Sequence, residues 1–203
     1  MANLIIKPTS GGSLILQDEG GTAAHTIDAS GNHTLSGTTN NVGTVTAGTI
    51  GTGVTKKIHA FNAYVSATDC AIPDSSWTEA TAVGTWTELF DSLGHYASGR
   101  FTPTVQGIYL CGFSATLSEL DANEHFICAI RKNGVSTAGN QYAYTRDRNP
   151  GSGSGYTLGL SGSSIIQLDT NDYVSLWCHH NEGATQNLSV GETGFWGTYI
   201  GTV

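Results

Sequence analysis

The chain has 203 residues, including 27 glycines, and only 12% of its residues are Asp, Glu, Lys or Arg. This composition argues against long amphipathic helices with paired surface charges and favours an all-β fold. Sixteen acidic against eight basic residues give a net charge of −8, and such a surface repels phosphate backbones and anionic membranes, so neither nucleic acid nor membrane is an expected partner.

The N-terminal segment MANLIIKPTSGG contains one lysine and a very short apolar run. This is too little for a secretory signal, and no stretch of the sequence reaches the ~20 apolar residues of a membrane span. We therefore expect a protein that is made without an export signal of its own.

Residues 1–55 contain no Trp, Tyr or Phe and consist of short strand-like fragments between glycine-rich turns. At ~25 cal/mol per Å² of buried apolar surface, such fragments hardly offset a backbone ordering cost of roughly 1–2 kcal/mol per residue. Three alternatives follow for this segment: it is disordered, it forms a small satellite fold, or its strands pair with other copies of the chain or with a scaffold. We favour the third, because apolar side chains alternate as in edge-seeking strands. The candidate virion-anchor residues are Leu4, Ile6, Leu14 and Leu16.

Residues 36–55 space a few β-branched apolar residues among small side chains. They form either a flexible linker or a slender intertwined stem, and the sequence leaves both open. The change in texture near Lys56 and Lys57 divides the chain into an attachment or stem segment, residues 1–55, and a head domain, residues 56–203.

All aromatic residues of the chain lie after Ile58, where strand patterns recur with turn signals between them. The segments IHAFNAYVSA and GIYLCGFSATL alternate, HFICAIRKNG ends in Asn-Gly, and YTLGLSGSSIIQL runs to a turn before YVSLWCHH. The segment FWGTYIGT closes the chain. This succession predicts an antiparallel sandwich of about eight to ten strands.

Alternation assigns the core side of these strands: in GIYLCGF, Tyr109, Cys111 and Phe113 share one face. The last strand carries aromatic residues on both faces, so we expect it to be buried on both sides, as at a subunit interface. The residues assigned to the core or to a trimer contact are Phe61, Tyr109, Phe113, Phe126, Trp177, Phe195, Trp196 and Tyr199.

The four cysteines are widely spaced and form no C-x-x-C pair. Cys111, Cys128 and Cys178 lie inside apolar strand patterns, so we interpret them as buried free thiols that behave as small hydrophobes. One disulfide between neighbouring strands is left open.

The sequence predicts no catalytic residue, no cofactor and no metal site. The segment DTND (169–172) offers oxygen ligands for calcium but lacks the other features of a calcium loop, and a hairpin turn uses the same residues. His179 and His180 are adjacent on a strand and point to opposite faces, so we interpret them as a solvent-facing strand end. The acidic cluster at 119–124 is interpreted as a solvated loop rather than a glycosidase carboxylate pair.

The strand residues resemble a known family. In residues 92–113 an aromatic-rich segment leads to Gly-x-Phe-Thr, a proline, Gly-x-Tyr and an apolar strand, and the segments at 129–134, 165–177 and 195–200 are similar to later strands of that family. Residues 58–203 thus resemble the jelly-roll head shared by the complement first component and tumour necrosis factor. The resemblance implies an antiparallel jelly-roll sandwich that assembles as a trimer with large apolar contacts about a threefold axis. The signature residues are Tyr96, Gly99, Phe101, Thr102, Pro103, Gly107 and Tyr109.

The segments NLIIKPTSGGSLILQDEGG and TIDASGNHTLSG resemble the starts of bacteriophage virion proteins, in particular fibres and capsid-attached spikes. In those proteins a virion-binding segment precedes a trimeric stem and a globular tip. The chain departs from animal relatives of the jelly roll, because it lacks a signal peptide and a Gly-X-Y collagen stalk. This difference argues against a secreted animal protein.

Strand parity predicts which loops point outward. If the last strand returns toward the stem, the loops at 118–124, 147–155 and 181–192 lie together at the far tip, whereas those near 132–140 and 169–172 face the stem. We call the first three the distal loops. Their side chains suit recognition of a sugar or protein surface, with plain solubility as the alternative. They carry Glu119, Asp121, Glu124, Arg146, Arg148, His180, Asn181 and Glu182.

These observations predict a non-enzymatic, homotrimeric virion surface protein, assembled in the host cytoplasm and anchored to a capsid or tail protein through residues 1–55. Its head would adhere to a host surface glycan or protein, or stabilise the shell. One alternative is a soluble lectin-like module unrelated to virions, in which residues 1–55 are dispensable. Another is a surface polysaccharide depolymerase, which would lose activity when Glu119 or Asp121 is changed to the amide. The sequence does not choose among tail fibre, head fibre and shell decoration.

Overall fold

The structure is a computed structural model that describes residues 12–17, 20, 23–30, 32–35, 58–151, 153 and 155–202. In this part of the chain the extended elements are antiparallel β-strands and the one helix is a short 3₁₀ turn, so the predicted all-β class is confirmed. No described helix has the length and hydropathy of a membrane span. The chain divides into two units, Met1–Val54 and Thr55–Val203, which are described separately.

The described residues of the first unit form a three-stranded antiparallel sheet. The turn between its last two strands is closed by Asp28, whose Oδ1 accepts hydrogen bonds from the backbone N–H groups of Ser30 at 2.8 Å and Asn32 at 2.9 Å. In sheet order the strands are β1 (Leu14–Gln17), β2 (Ala23–Ile27) and β3 (His33–Leu35).

The second unit contains the remaining strands and the 3₁₀ helix Ala80–Ala82. Six of its thirteen described strands, including the two longest, coincide with segments identified in the sequence. The number exceeds the expected eight to ten because five of the strands have only two residues, too few to show a period of two. The strands are β4 (Ala60–Val65), β5 (Ala71–Ile72), β6 (Thr78–Glu79), β7 (Trp86–Asp91), β8 (Tyr96–Ala97), β9 (Arg100–Phe101), β10 (Gly107–Leu120), β11 (His125–Lys132), β12 (Gln141–Arg148), β13 (Tyr156–Leu168), β14 (Val174–His180), β15 (Gln186–Asn187) and β16 (Gly194–Gly201).

Two antiparallel sheets build the sandwich of the second unit. The five-stranded sheet has the order β13-β10-β16-β4-β7, and the six-stranded sheet has the order β12-β11-β14-β9-β8, with β6 paired to β14. The chain crosses repeatedly between the sheets: β10 belongs to the first, β11 and β12 to the second, β13 to the first and β14 to the second. This exchange of sheets by consecutive strands is the topology of a jelly roll. A further small sheet pairs β15 with β5.

Aromatic rings from both sheets meet in the core. The ring of Phe61 on β4 lies 4.5 Å from that of Phe101, 4.9 Å from that of Tyr96 and 5.0 Å from that of Phe195. Phe195 belongs to the five-stranded sheet, whereas Tyr96 and Phe101 belong to the six-stranded sheet. Stacked and edge-to-face aromatic pairs of this kind contribute about 0.5–1.5 kcal/mol each beyond area burial. They therefore hold the two layers together.

Two tight turns use residues with positive φ. Ser98 (φ 52°) and Gly99 (φ 77°) join β8 to β9, and Asn133 (φ 55°) and Gly134 (φ 71°) follow β11. Two successive positive φ angles define the turn that matches the right-handed twist of paired strands, and Asn-Gly is its favoured sequence. A side chain at Gly99 would also collide with backbone, because its Cβ would lie 1.9 Å from the carbonyl oxygen of Thr81.

All four cysteines are buried and none forms a disulfide. Cys128 and Cys178 lie opposite one another on β11 and β14, with their sulfur atoms 3.4 Å apart. Burial raises the pKa of the Cys111 thiol to about 12, so this group stays neutral. The interpretation as buried hydrophobic thiols is therefore correct.

Candidate functional site

The outer face of the five-stranded sheet carries an apolar patch that no described residue of the second unit covers. On β16 the side chain of Phe195 points into the core, so its neighbour Trp196 points outward, opposite Asn62 on β4 and Gly112 on β10. The same alternation places Leu110 and Ile165 side by side. We call this surface the apolar sheet face; its members are Ile58, Phe90, Ile108, Leu110, Ile165, Trp196 and Ile200.

Large side chains on the apolar sheet face are half exposed to solvent. The exposed fractions are 62% for Ile165, 54% for Ile58, 51% for Phe90 and 50% for Ile200. A depression of about 470 Å³ runs between Ile58, Phe90 and Trp196. Contiguous apolar surface of this kind marks an interaction site in soluble proteins.

Trp196 lies flat on this face because position 112 is a glycine. A Cβ built on Gly112 would lie 2.2 Å from Cζ2 of Trp196 and 2.6 Å from its Cε2. The indole therefore covers the β10 backbone, and Gly112 is buried beneath it. Because Gly112 has no Cβ, the indole ring can lie parallel to the sheet. A Cβ at this position would tilt the ring away from the β10 backbone.

The three distal loops meet at one end of the sandwich. The backbone N–H of Asp121 donates a hydrogen bond to Oε2 of Glu182 at 2.8 Å, and that of His125 donates to Oδ1 of Asn181 at 2.7 Å. The loops at 118–124 and 147–155 are joined by the backbone N–H of Asn123, which donates to the carbonyl oxygen of Asn149. A cleft of about 380 Å³ between them is lined by Glu119, Asp121, Gly155, Glu182 and Gln186.

The structure divides the residues predicted to face a receptor into three groups. Glu119, Asp121 and Glu182 line the distal cleft; Glu124 and Asn181 are half-buried beside it. The exposed Arg146 and Arg148 lie on β12 instead. His180 is fully buried, so its interpretation as a solvent-facing residue was wrong.

His180 is buried because β14 continues to this residue and turns its side chain inward. Its Nε2–H donates a hydrogen bond to the carbonyl oxygen of Ile72 at 2.7 Å, and its Nδ1 accepts one from the N–H of Glu182 at 3.2 Å. Both ring nitrogens are therefore satisfied by the backbone, and the side chain fixes the loop that follows.

The residues assigned to the core or to a trimer contact lie in three environments: the core, the apolar sheet face and, against the prediction, the outer surface of the six-stranded sheet. Trp196 lies on the apolar sheet face, and Tyr199 packs against Tyr109 with ring centroids 5.3 Å apart. Trp177 belongs to neither the core nor that face: it is half-buried on the outer surface of the six-stranded sheet. The fully or almost fully buried members are Phe61, Tyr109, Phe113, Phe126 and Phe195.

Of the four candidate anchor residues, Leu4 and Ile6 lie outside the described residues. Leu14 and Leu16 lie on β1, where Leu14 is half-buried and Leu16 is 53% exposed. The intervening Ile15 is 48% exposed, so both faces of this strand present apolar side chains.

The side chain of Asp172 stabilises the turn at 169–172, to which it belongs. The carboxylate of Asp172 accepts hydrogen bonds from the N–H of Asp169 and from Asn133, and pairs with Lys132 at 2.6 Å. Burial opposes ionisation of Asp172, but these hydrogen bonds and the lysine hold its pKa below the ordinary value. The segment is a turn, but the expected hairpin is wrong, because β13 and β14, which it joins, belong to different sheets and do not pair. The described residues contain no group of three or more His, Cys, Asp or Glu arranged to hold a metal ion.

One group of side chains was not identified from the sequence. Trp77, Arg131 and His179 come together with Trp177 on the outer surface of the six-stranded sheet. Alternation along FICAIR could have placed Arg131 opposite the core residues Phe126, Cys128 and Ile130, but nothing local indicated that Trp77 would lie beside it.

No protein-family model and no curated protein sequence matches the chain. Solved structures do resemble it. A tumour necrosis factor of S. frugiperda, Eiger, is 5% identical and superposes with a TM-score of 0.54, covering 73% of this chain and 96% of its own. Murine APRIL is 11% identical with a TM-score of 0.50, covering 71% and 100%. The globular domain of a zebrafish complement 1qA protein is 18% identical with a TM-score of 0.49, covering 72% and 99%. At such identities the first two likenesses establish the fold alone: the second unit is a tumour necrosis factor-like jelly roll, as the sequence predicted.

Proposed function

We propose that this chain is a non-enzymatic, homotrimeric surface protein of a bacteriophage virion, a fibre, spike or shell decoration. Residues 1–55 attach it to a capsid or tail protein, and the jelly-roll head projects outward to bind a host surface. Assembly takes place in the host cytoplasm before the protein reaches the virion surface.

The apolar sheet face is the observation that carries the proposed self-association. Its half-exposed isoleucines and Phe90 surround the flat indole of Trp196, and no described side chain of the second unit covers them. A stable protein interface buries about 800 Å² per partner and is apolar at its centre. Copies arranged about a closed rotation axis would cover this surface in each subunit at once.

The first unit supports attachment to another protein. Its small described sheet exposes Ile15, Leu16 and Leu35 by 48%, 53% and 40%. A sheet of three short strands has little core of its own, so it gains stability by placing these side chains against a partner. The resemblance of this segment to the starts of phage virion proteins identifies the kind of partner that we propose.

The distal loops support a binding role rather than a catalytic one. Among the acidic side chains that line the cleft, Glu182 is held by the backbone N–H of Asp121, which makes it part of the loop structure. Exposed loops on a rigid sandwich are a common position for recognition residues.

The oligomeric state of the full-length chain tests the proposal. Sedimentation velocity at 1–50 µM should give three times the chain mass of 21.2 kDa, about 64 kDa. Changing Ile165 to Glu should yield monomers, because a charge would be buried at the interface. Val135, 40% exposed in a loop outside the apolar sheet face, provides the matched control, and Val135→Glu should stay trimeric. A monomeric wild-type protein would refute the proposal.

The virion location needs a separate measurement. Antibody labelling of purified virions in electron micrographs should place the protein on the head or the tail. A trimer that labels no part of the virion would leave the assembly intact and exclude the virion role.

A further inference from the structure

The positive charges of the head lie on one sheet. From Ile58 onward the chain has only five basic residues, although it has many acidic ones. All five lie on strands β9, β11 and β12 of the six-stranded sheet. The six-stranded sheet therefore carries the cations of the head, which are Arg100, Arg131, Lys132, Arg146 and Arg148.

Two of these cations are already neutralised. Arg100 forms a two-pronged pair with Glu79, with N···O distances of 2.9 and 2.8 Å, and Lys132 pairs with Asp172. Among the described residues, no carboxylate lies within ion-pair distance of the other three arginines. Guanidinium groups stay charged at any physiological pH. Three unpaired positive charges therefore remain on this sheet of an acidic protein.

Arg131 is held between two tryptophans. Its guanidinium carbon lies 4.1 Å from the ring centroid of Trp77 and 4.6 Å from that of Trp177. The residue is 4% exposed, and its hydrogen bond from Nε to Oε1 of Gln141 is long, at 3.4 Å. A buried charge normally has a carboxylate partner, because desolvation is costly. Here aromatic faces stabilise the cation and no anion neutralises it.

The surface continues toward the distal loops through two histidines. The rings of His125 and His179 are stacked, with centroids 5.4 Å apart and planes inclined by 2°, and His179 lies 5.5 Å from Trp77. Arg146 Nη2 lies 3.4 Å from Nδ1 of His125. Aromatic rings and guanidinium groups therefore alternate across the sheet. We call this surface the cation–aromatic band; it consists of Trp77, His125, Arg131, Arg146, Trp177 and His179.

We propose that the cation–aromatic band binds an acidic polysaccharide through its carboxylate groups. Guanidinium groups match planar carboxylates with two parallel hydrogen bonds. Flat aromatic rings between the cations offer apolar contact to the sugar rings that separate successive carboxylates along such a polymer. A protein of net charge −8 repels acidic polymers elsewhere on its surface, so the band also orients the ligand.

The band stays accessible in the assembly that we propose. It lies on the outer surface of the six-stranded sheet, whereas the apolar sheet face belongs to the five-stranded sheet, and the core separates the two. This inference rests on the proposed binding role of the head, but it does not depend on trimer formation. The prediction of ligand binding and the prediction of a trimer can therefore be refuted independently of each other.

Binding of the full-length protein to immobilised polygalacturonate, measured by biolayer interferometry at 50 and 200 mM NaCl, tests the inference. The wild type should bind polygalacturonate and not neutral dextran, and binding should weaken at the higher salt concentration. Arg146→Gln removes an exposed guanidinium and should weaken binding at least tenfold. Arg131 is 4% exposed and lies between Trp77 and Trp177, so Arg131→Gln should act through the position of these rings and weaken binding by a smaller factor. Arg100→Gln removes the same charge from the same sheet outside the band, and should change binding less than twofold.

Three outcomes would overturn the inference. The first is no binding of polygalacturonate by a protein that is folded and has its normal mass. The second is an equal loss for Arg100→Gln and Arg146→Gln, which would mean recognition by net charge. The third is equally tight binding of poly-glutamate, which would mean that an acidic peptide serves as well as a sugar. Arg146 is exposed, so its variant remains informative if Arg131→Gln does not fold.

Discussion

The substitution Gly112→Ala tests whether the indole of Trp196 lies flat on the sheet. An added Cβ would lie 2.2, 2.6 and 2.8 Å from three atoms of that ring, whereas ordinary contacts begin at 3.4 Å. The ring must therefore rise by about 1.2 Å, the difference between 3.4 and 2.2 Å. Forcing an extra methyl group into packed structure costs about 1–3 kcal/mol.

The matched control is Gly159→Ala. Both glycines lie inside strands of the same sheet, but a Cβ at Gly159 would meet only Oγ1 of Thr116, at 3.5 Å. Each substitution also reduces the freedom of the unfolded chain, which stabilises a protein by about 0.4–1 kcal/mol where the conformation permits it. This contribution cancels when the two variants are compared. The difference between them therefore isolates the collision, about 1–3 kcal/mol.

Urea denaturation at one fixed protein concentration measures this difference, because assembly makes apparent stability depend on concentration. Gly112→Ala should unfold at lower urea than wild type, and Gly159→Ala at equal or higher urea. In thermal unfolding the two midpoints should differ by about 2–12 °C for a chain of this size. Equal midpoints for the two variants would refute the placement of Trp196.

Two further predictions concern the core and the response to acid. Phe61→Ala should lower the free energy of unfolding by about 3–5 kcal/mol, because this 1%-exposed ring packs against three others. The control Val135→Ala should change the free energy of unfolding by less than about 0.5 kcal/mol. Equal losses for the two variants in urea denaturation would contradict the assignment of Phe61 to the core. Burial, together with the charge of Arg146, lowers the pKa of both His125 and His179. Below pH 6.5 the unfolded chain therefore binds more protons than the folded protein, so the free energy of unfolding should fall as the pH drops. His125→Gln should make this fall smaller. A thermal midpoint that does not change between pH 7 and pH 5 would contradict the prediction.

The two surfaces of the sandwich differ because the strands expose different residues. The five-stranded sheet turns isoleucines and Trp196 outward, whereas the six-stranded sheet turns arginines and histidines outward. In the trimer that we propose, the first surface is buried between copies and the second stays open to the proposed ligand. Under these proposals, the five cations that follow Ile58 lie on the sheet that remains open to a ligand.

The sequence by itself determined the class of fold, six of the eight described strands that have six or more residues, and the core side of several of them. A period of two in side-chain character is imposed by the backbone of a strand, so Tyr109, Cys111 and Phe113 could be assigned to the core by alternation alone. The Asn-Gly turn after β11 was likewise predictable, because its conformation depends on those two residues. The grouping of the distal loops at one end was predicted by counting strands, because successive strands run in opposite directions and alternate loops therefore lie at the same end of the sandwich.

Tertiary structure alone decided which residues meet across strands. His180 could be placed on a strand end, but its burial depends on the carbonyl oxygen of Ile72, more than a hundred residues away. Trp77 reaches Arg131 only because β6 pairs with β14, and this strand of two residues carries no periodic signal. Such contacts arise from the register between distant segments. Register depends on the energy of the whole sheet rather than on any local pattern.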